Sequence, residues 1–163
     1  MISSGLIGGA GDALCQIVVE KRSLDKYDVP RTIRFMVLPT FFMAPVLNRW
    51  YRVLQRIGGP PKLVPLKQVL IDQTLFAPWF TAAVITSLRL LEGFSLEESW
   101  EKMRQDYWSI YKRAIFYWPC VQLFNFYLMP VHFQVIWVQL AGLFWNVFLS
   151  NVTQTKLPVP PIE

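Results

Sequence analysis

Between Arg113 and Lys156 the chain carries no Asp, Glu, Lys or Arg. A helical membrane crossing needs about 20 mostly apolar residues, enough to span a hydrocarbon layer of roughly 30 Å. The interval is long enough for two crossings. Pro130 marks where the first must stop, because proline lacks the N–H that a helix interior uses. The rest of the 163 residues agree with this reading. Hydrophobic types make up 53%, the mean hydropathy is +0.32, and only 17% are charged, against about 25% in soluble domains. The fold class expected is therefore all-α: a polytopic membrane helical bundle of four to five hydrophobic helices plus one amphipathic interfacial helical stretch. It forms a single transmembrane domain over residues 1–155, followed by an irregular C-terminal tail over 156–163.

Five segments follow from punctuation and periodicity. The first, Ile2 to Val19, has Gly5 and Gly9 at GxxxG spacing with Ala13 after them, a pattern that lets two membrane helices approach closely. The second runs from Val29 to Ile57. Asp28 can cap it, Pro30 suits a first turn, and Pro39 and Pro45 should kink or loosen it. Its end, NRWYRVLQR, reads as interfacial: Trp50 and Tyr51 are belt residues among arginines at helical spacing. GGPP, at 58–61, is the clearest break, and the third segment runs from Leu63 to Leu91. Ser95 and Glu98 form a capping box opening the fourth. Its charged first half places Trp100 and Trp108 along a membrane surface, and its second half enters the membrane through Pro119. The fifth runs from Val131 to Val152.

A net charge of +5 reads as membrane-flanking Lys and Arg, and no soluble module is visible that could present a basic face to nucleic acid. The first three connections carry five positive residues each, so loop charge does not orient the chain. No Lys or Arg precedes Lys21, which fits neither a secretory signal nor an Arg-rich transit peptide and points to internal targeting information. Cys15 and Cys120 both lie in apolar surroundings and imply no disulfide framework.

The polar residues inside the apolar segments are the candidate functional groups. Asp12 lies near the middle of the first segment, with Gln16 one turn on and on the same face. Either Asp12 lines a water-filled pathway, or it pairs with an arginine of the second segment and fixes packing. Asp72 and Gln73 open the apolar core of the third segment, as an interfacial carboxylate or as an acidic group at a pore mouth. Gln122 and Asn125 share a face of the fourth segment, and Gln139 and Asn146 share a face of the fifth. Such amides hydrogen-bond helix to helix, at roughly 0.6–2 kcal/mol each, or wet a narrow pore. The single histidine, His132, has no evident catalytic partner. No serine elbow, metal-ligand cluster or phosphate loop appears, so neither an enzyme nor a cofactor is expected.

Five stretches, GDALCQ (11–16), WYRVL (50–54), DQTLFAP (72–78), WPCVQLFNFYLMP (118–130) and WNVFLS (145–150), together resemble the Mpv-seventeen family. That family also includes the twenty-two-kilodalton peroxisomal membrane protein. NFYLMPVHF is most similar to the mitochondrial inner-membrane branch, with the peroxisomal membrane as the alternative location. The chain departs from the family in three places. Relatives carry a further stretch ahead of GDALCQ, Gln134 stands where an arginine is usual, and Ala114 where an asparagine is common. The resemblance implies a weakly selective channel for small solutes or ions, supporting mitochondrial DNA upkeep, nucleotide supply and membrane potential. Its partners would be the lipid bilayer, the solutes themselves and, in one option, further copies in a homo-oligomer. Direct nucleic-acid binding is not implied. A non-conducting structural or assembly protein of the same membrane is the rival expectation.

Overall fold

The structure, a computed structural model, describes residues 2–154 apart from the side chains at 126, 131, 132, 134 and 135. The tail at 156–163 and the His132 and Gln134 side chains lie outside the described residues. Among the described residues five long helices run in succession, with a short 3-10 turn at Leu24–Lys26 and no strand. Helix α1 is Ile2–Val19, α2 covers residues 29–54, α3 is Val64–Leu91, α4 is Leu96–Leu128 and α5 is Val131–Gln154. Short connections make successive helices antiparallel neighbours.

Local chemistry sets the helix ends. Asp28 caps α2 by accepting from the Arg31 amide at 2.9 Å, with Pro30 in the first turn, where its missing N–H costs nothing. The α3 helix closes with paired back-bonds: Gly93 N–H reaches Leu90 O at 3.0 Å and Phe94 N–H reaches Arg89 O at 3.3 Å. That closure needs a left-handed residue, and Gly93 supplies it at φ 93°. The capping box of α4 is present in both directions, through Ser95 and Glu98. Once started, α4 runs for 33 residues, about 50 Å, without a break at Pro119.

Three helices widen for one turn each: α1 at Cys15–Val19, α2 at Pro39–Met43 and α3 at Asp72–Phe76. Pro39 opens the second of these turns, and Pro45 lies in the first turn of the Ala44–Leu54 stretch that follows. Such π turns are costly in regular helices and concentrate at functional positions.

Glycines bring α1 against its neighbours. A Cβ on Gly5 would lie 2.0 Å from Thr40 Oγ1, and one on Gly9 would lie 2.4 Å from Met36 Cγ, both on α2. Gly8, outside the GxxxG pair, is as tight: its Cβ would meet Phe35 O at 2.1 Å. Gly11 faces the other way, against Asn146 of α5. The hydrophobic core, including Phe35, Leu38, Ile85, Leu88, Ile110, Trp145 and Leu149, draws on α2 to α5. Tyr117 donates to Ala141 O at 2.7 Å and Trp137 to Val121 O at 3.0 Å, locking α4 to α5.

By length and composition, α1, α3 and Ile136–Gln154 of α5 can cross a membrane. The α2 and α4 helices are not among these, and both carry charges, Arg31 and Arg49 in one and the run from Glu97 to Arg113 in the other. They belong to the bundle because the groups that would be most costly in lipid are paired inside it.

Candidate functional site

Two polar constellations occupy the interior. The first joins α1, α2 and α5. Asp12 and Arg31 are both fully buried, with Arg31 Nε donating to Asp12 Oδ1 at 2.7 Å. The second Asp12 oxygen accepts from Thr32 Oγ1 at 2.7 Å and from Gln16 Nε2 at 2.9 Å, and Ser150 of α5 donates to the first. Gln16 also accepts from the Asp28 amide at 2.8 Å, pinning the start of α2. Lys21 takes a left-handed turn at φ 52°, which returns the chain so that Arg22 N–H bonds Gln16 O. Glu20 then meets the Arg31 guanidinium at 2.6 and 3.0 Å. Burial tends to raise the Glu20 carboxyl, but the Arg31 hydrogen bonds and charge outweigh it and hold the group below its ordinary 4.5. A second ion-pair group lies at the same end, where Arg89 of α3 bonds Glu92 at 2.8 Å and Asp106 of α4 at 2.7 Å. Gln154 of α5 donates to Glu92 and adds the fifth helix.

The second constellation lines a central cavity of about 240 Å³ to which all five helices contribute. Asp72 and Gln73 enter it from the wide turn of α3, Gln122 from α4, Gln139 and Asn146 from α5, and Tyr51 from α2. Asp72 accepts from Trp50 Nε1 at 2.7 Å and from Gln73 Nε2 at 2.9 Å. Trp50 stacks on Phe76 with ring centroids 4.6 Å apart, and Phe76 stacks on Phe80 at 4.9 Å. Gln122 donates to Tyr51 Oη at 3.2 Å, and Asn146 to Gly142 O at 2.7 Å. Gln73 is buried, and its Oε1 has no hydrogen-bond partner. Among the described residues no Lys or Arg lines the cavity.

The predicted candidates therefore divide. Asp72, Gln73, Gln122, Gln139 and Asn146 meet at the cavity, whereas Asp12, Gln16 and Asn125 are buried outside its lining. Of the two roles open to Asp12, the geometry is that of the arginine pair: Arg31 bonds it at 2.7 Å, and it is not among the residues lining the central cavity. The residues not singled out in advance are Arg31, Glu20, Thr32, Ser150 and the Arg89–Asp106 pair. Ser150 lies 138 positions from Asp12 along the chain, a separation that no local pattern reveals. Trp50, expected at the membrane surface, turns its indole inward to Asp72, while Trp100 and Trp108 are exposed.

Residues 89–150 match the family model described as the Mpv17 / PMP22 family. Similar proteins cover nearly the whole chain. Mitochondrial inner membrane protein Mpv17 of Caenorhabditis briggsae is 42% identical, over 100% of this chain and 90% of that protein. The chain belongs to the Mpv17 / PMP22 family. The Homo sapiens and Mus musculus proteins of the same name are 37% and 36% identical, each over 92% of this chain and 86% of the relative. No solved structure matches. As an Mpv17-family membrane protein, the chain is placed in the mitochondrial inner membrane, the location those relatives' names carry. Two of the stretches that carried the resemblance map onto the two constellations. GDALCQ brings Asp12 and Gln16 to the ion-pair layer, and DQTLFAP brings Asp72, Gln73 and Phe76 to the cavity.

Proposed function

We propose that this protein is a channel of the mitochondrial inner membrane that passes small solutes through the central cavity. The observation that carries this reading is the cavity itself. It lies between all five helices, and a carboxyl and several amides reach it in a chain whose exterior suits lipid. A bundle built only for packing gains nothing from a void, since each unfilled volume forfeits dispersion contacts. The ion-pair layer bounds the conduction path: the Asp12–Arg31–Glu20 group and the Arg89–Asp106–Glu92 group tie the helix ends together on one side. Solute passage needs those links to part or a path to run beside them. A role in mitochondrial DNA upkeep and membrane-potential control, implied by the family resemblance, is then an indirect result of solute passage and involves no direct nucleic-acid contact.

Single-channel recording from protein reconstituted in planar bilayers tests this reading. Discrete conductance is expected. Gly142 lines the cavity and a Cβ there meets nothing within 4 Å, so Gly142→Phe has room at its first atom to direct the ring toward the void. That variant should fold and lose its conductance. Flat recordings from folded wild-type protein would support instead the non-conducting assembly role that the tightly paired layer also suits, and unaltered conductance in folded Gly142→Phe would overturn the central cavity as the conducting path.

A further inference from the structure

We propose that Asp72 and Gln73, at the wide turn of α3, form a seat for the ammonium group of a small organic cation whose apolar body lies in the central cavity. The inference rests on the reading of that cavity as a solute chamber and adds the class of solute it holds.

Four observations converge. Gln73 is 8% exposed and its side-chain oxygen has no partner, although its nitrogen is engaged with Asp72. A buried carbonyl left without a donor costs about 1–3 kcal/mol, so the position favours an occupant that donates. Asp72 accepts two donors, Trp50 and Gln73, and a carboxylate has roughly four lone-pair positions, so acceptor capacity remains beside the unpartnered oxygen. No Lys or Arg among the described residues lines the cavity to offset that carboxyl or to attract an anion. Finally, Tyr51 and Trp118 add aromatic walls outside the Trp50–Phe76–Phe80 stack, and a cation over such a face gains about 0.5–2 kcal/mol.

The combination selects a ligand chemistry. Two acceptors in adjacent positions on one turn suit a primary ammonium, which carries three donors and no acceptor. A carboxylate or phosphate solute would meet Asp72 with no compensating cation. A purely apolar solute would leave Gln73 Oε1 unpartnered. The volume, about 240 Å³, exceeds the roughly 150 Å³ of an engineered apolar cavity that holds benzene, so one ring with an aminomethyl arm fits.

The test uses three probes of one shape. Benzylammonium, benzyl alcohol and benzoate are titrated calorimetrically into the purified full chain in detergent micelles, wild type and variants. Micelle partitioning is common to all the proteins, so the wild-type signal in excess of Asp72→Asn reports the site. Benzylammonium should bind about tenfold or more tightly than benzyl alcohol, and benzoate should show no site-specific binding. Asp72→Asn should weaken benzylammonium about tenfold and Gln73→Leu roughly three- to tenfold. Equal site-specific affinity for the ammonium and the alcohol, or comparable site-specific binding of benzoate, overturns the proposal. Unaltered benzylammonium affinity in folded Asp72→Asn overturns it as well. The readout is equilibrium binding, so it separates from conduction. Conductance without ammonium preference removes this inference and leaves the channel. Ammonium binding in a silent bilayer removes the channel and leaves the seat.

Discussion

Asp12 and Asp72 are the same residue type in the same kind of apolar helix, and their surroundings differ in every respect that matters. Asp12 is enclosed: Arg31, Thr32, Gln16 and Ser150 satisfy it, and three helices supply those partners. Asp72 borders a void, with two neutral donors and no cation among its partners. The comparison shows that a carboxyl in a membrane helix cannot be assigned a role from its depth. What decides is whether a cation on a neighbouring helix comes within about 3 Å of it. The two ends of the bundle repeat the contrast. At the end with the α1–α2 and α3–α4 turns, cations are interleaved with acids, as in Arg22–Glu20, Arg31–Glu20 and Arg89–Glu92. The α2–α3 end collects Arg49, Arg52, Arg56, Lys62 and Lys67, with Asp72 as the sole acid nearby in the chain.

Removing the cation from the enclosed site should break the comparison most severely. Arg31→Met leaves Asp12 buried and uncompensated, for a loss of about 3–5 kcal/mol, read as lost thermal stability in detergent or failure to accumulate folded protein. A stability close to wild type would show that the layer is not what binds α1 to α2. Close helix approach supplies the next largest effect. Gly8→Ala drives a Cβ into Phe35 O and should cost about 1–3 kcal/mol, whereas Gly142→Ala, with open space around it, should stay within about 0.5 kcal/mol.

At the cavity, Asp72→Asn should change stability by less than about 1 kcal/mol while altering what the chamber binds. The new amide keeps an oxygen for Trp50, and Gln73 can turn its unpartnered Oε1 toward the new NH₂ group. A loss as large as that of Arg31→Met would make Asp72 a bracing residue like Asp12.

The smallest effect concerns pH. Glu20 has a folded value below its ordinary 4.5, so it binds protons more weakly folded than unfolded. Its contribution is complete above that ordinary value and is lost as pH falls through the lowered folded one. Thermal unfolding followed across that acid range should show a decline that Glu20→Gln flattens. Identical profiles for the two proteins would remove Glu20 from the layer's electrostatics.

Much of the architecture was legible in the chain. Uncharged runs, the caps at Asp28 and Ser95 and the break at GGPP delimit the helices, because hydrogen-bonding and solvation rules act over a few residues. Helix faces were legible too: one turn of spacing places Asp12 with Gln16, as their 2.9 Å bond shows. The amphipathic first half and apolar second half of α4 were legible as parts of one segment, and what the structure added is that Pro119 does not break the helix, since neighbouring helices can hold together a backbone that loses one hydrogen bond.

The sequence by itself determined that these segments are helical, that they suit lipid, and that their few polar groups must find partners away from it. Only the tertiary structure decided which groups pair and which surround a void. Ser150 reaches Asp12 from far along the chain, and Trp50 turns from the surface to Asp72. The physical reason is range. Propensity and periodicity are properties of neighbours in the chain, whereas neutralising a buried charge and leaving a space unfilled depend on the packing of five helices at once.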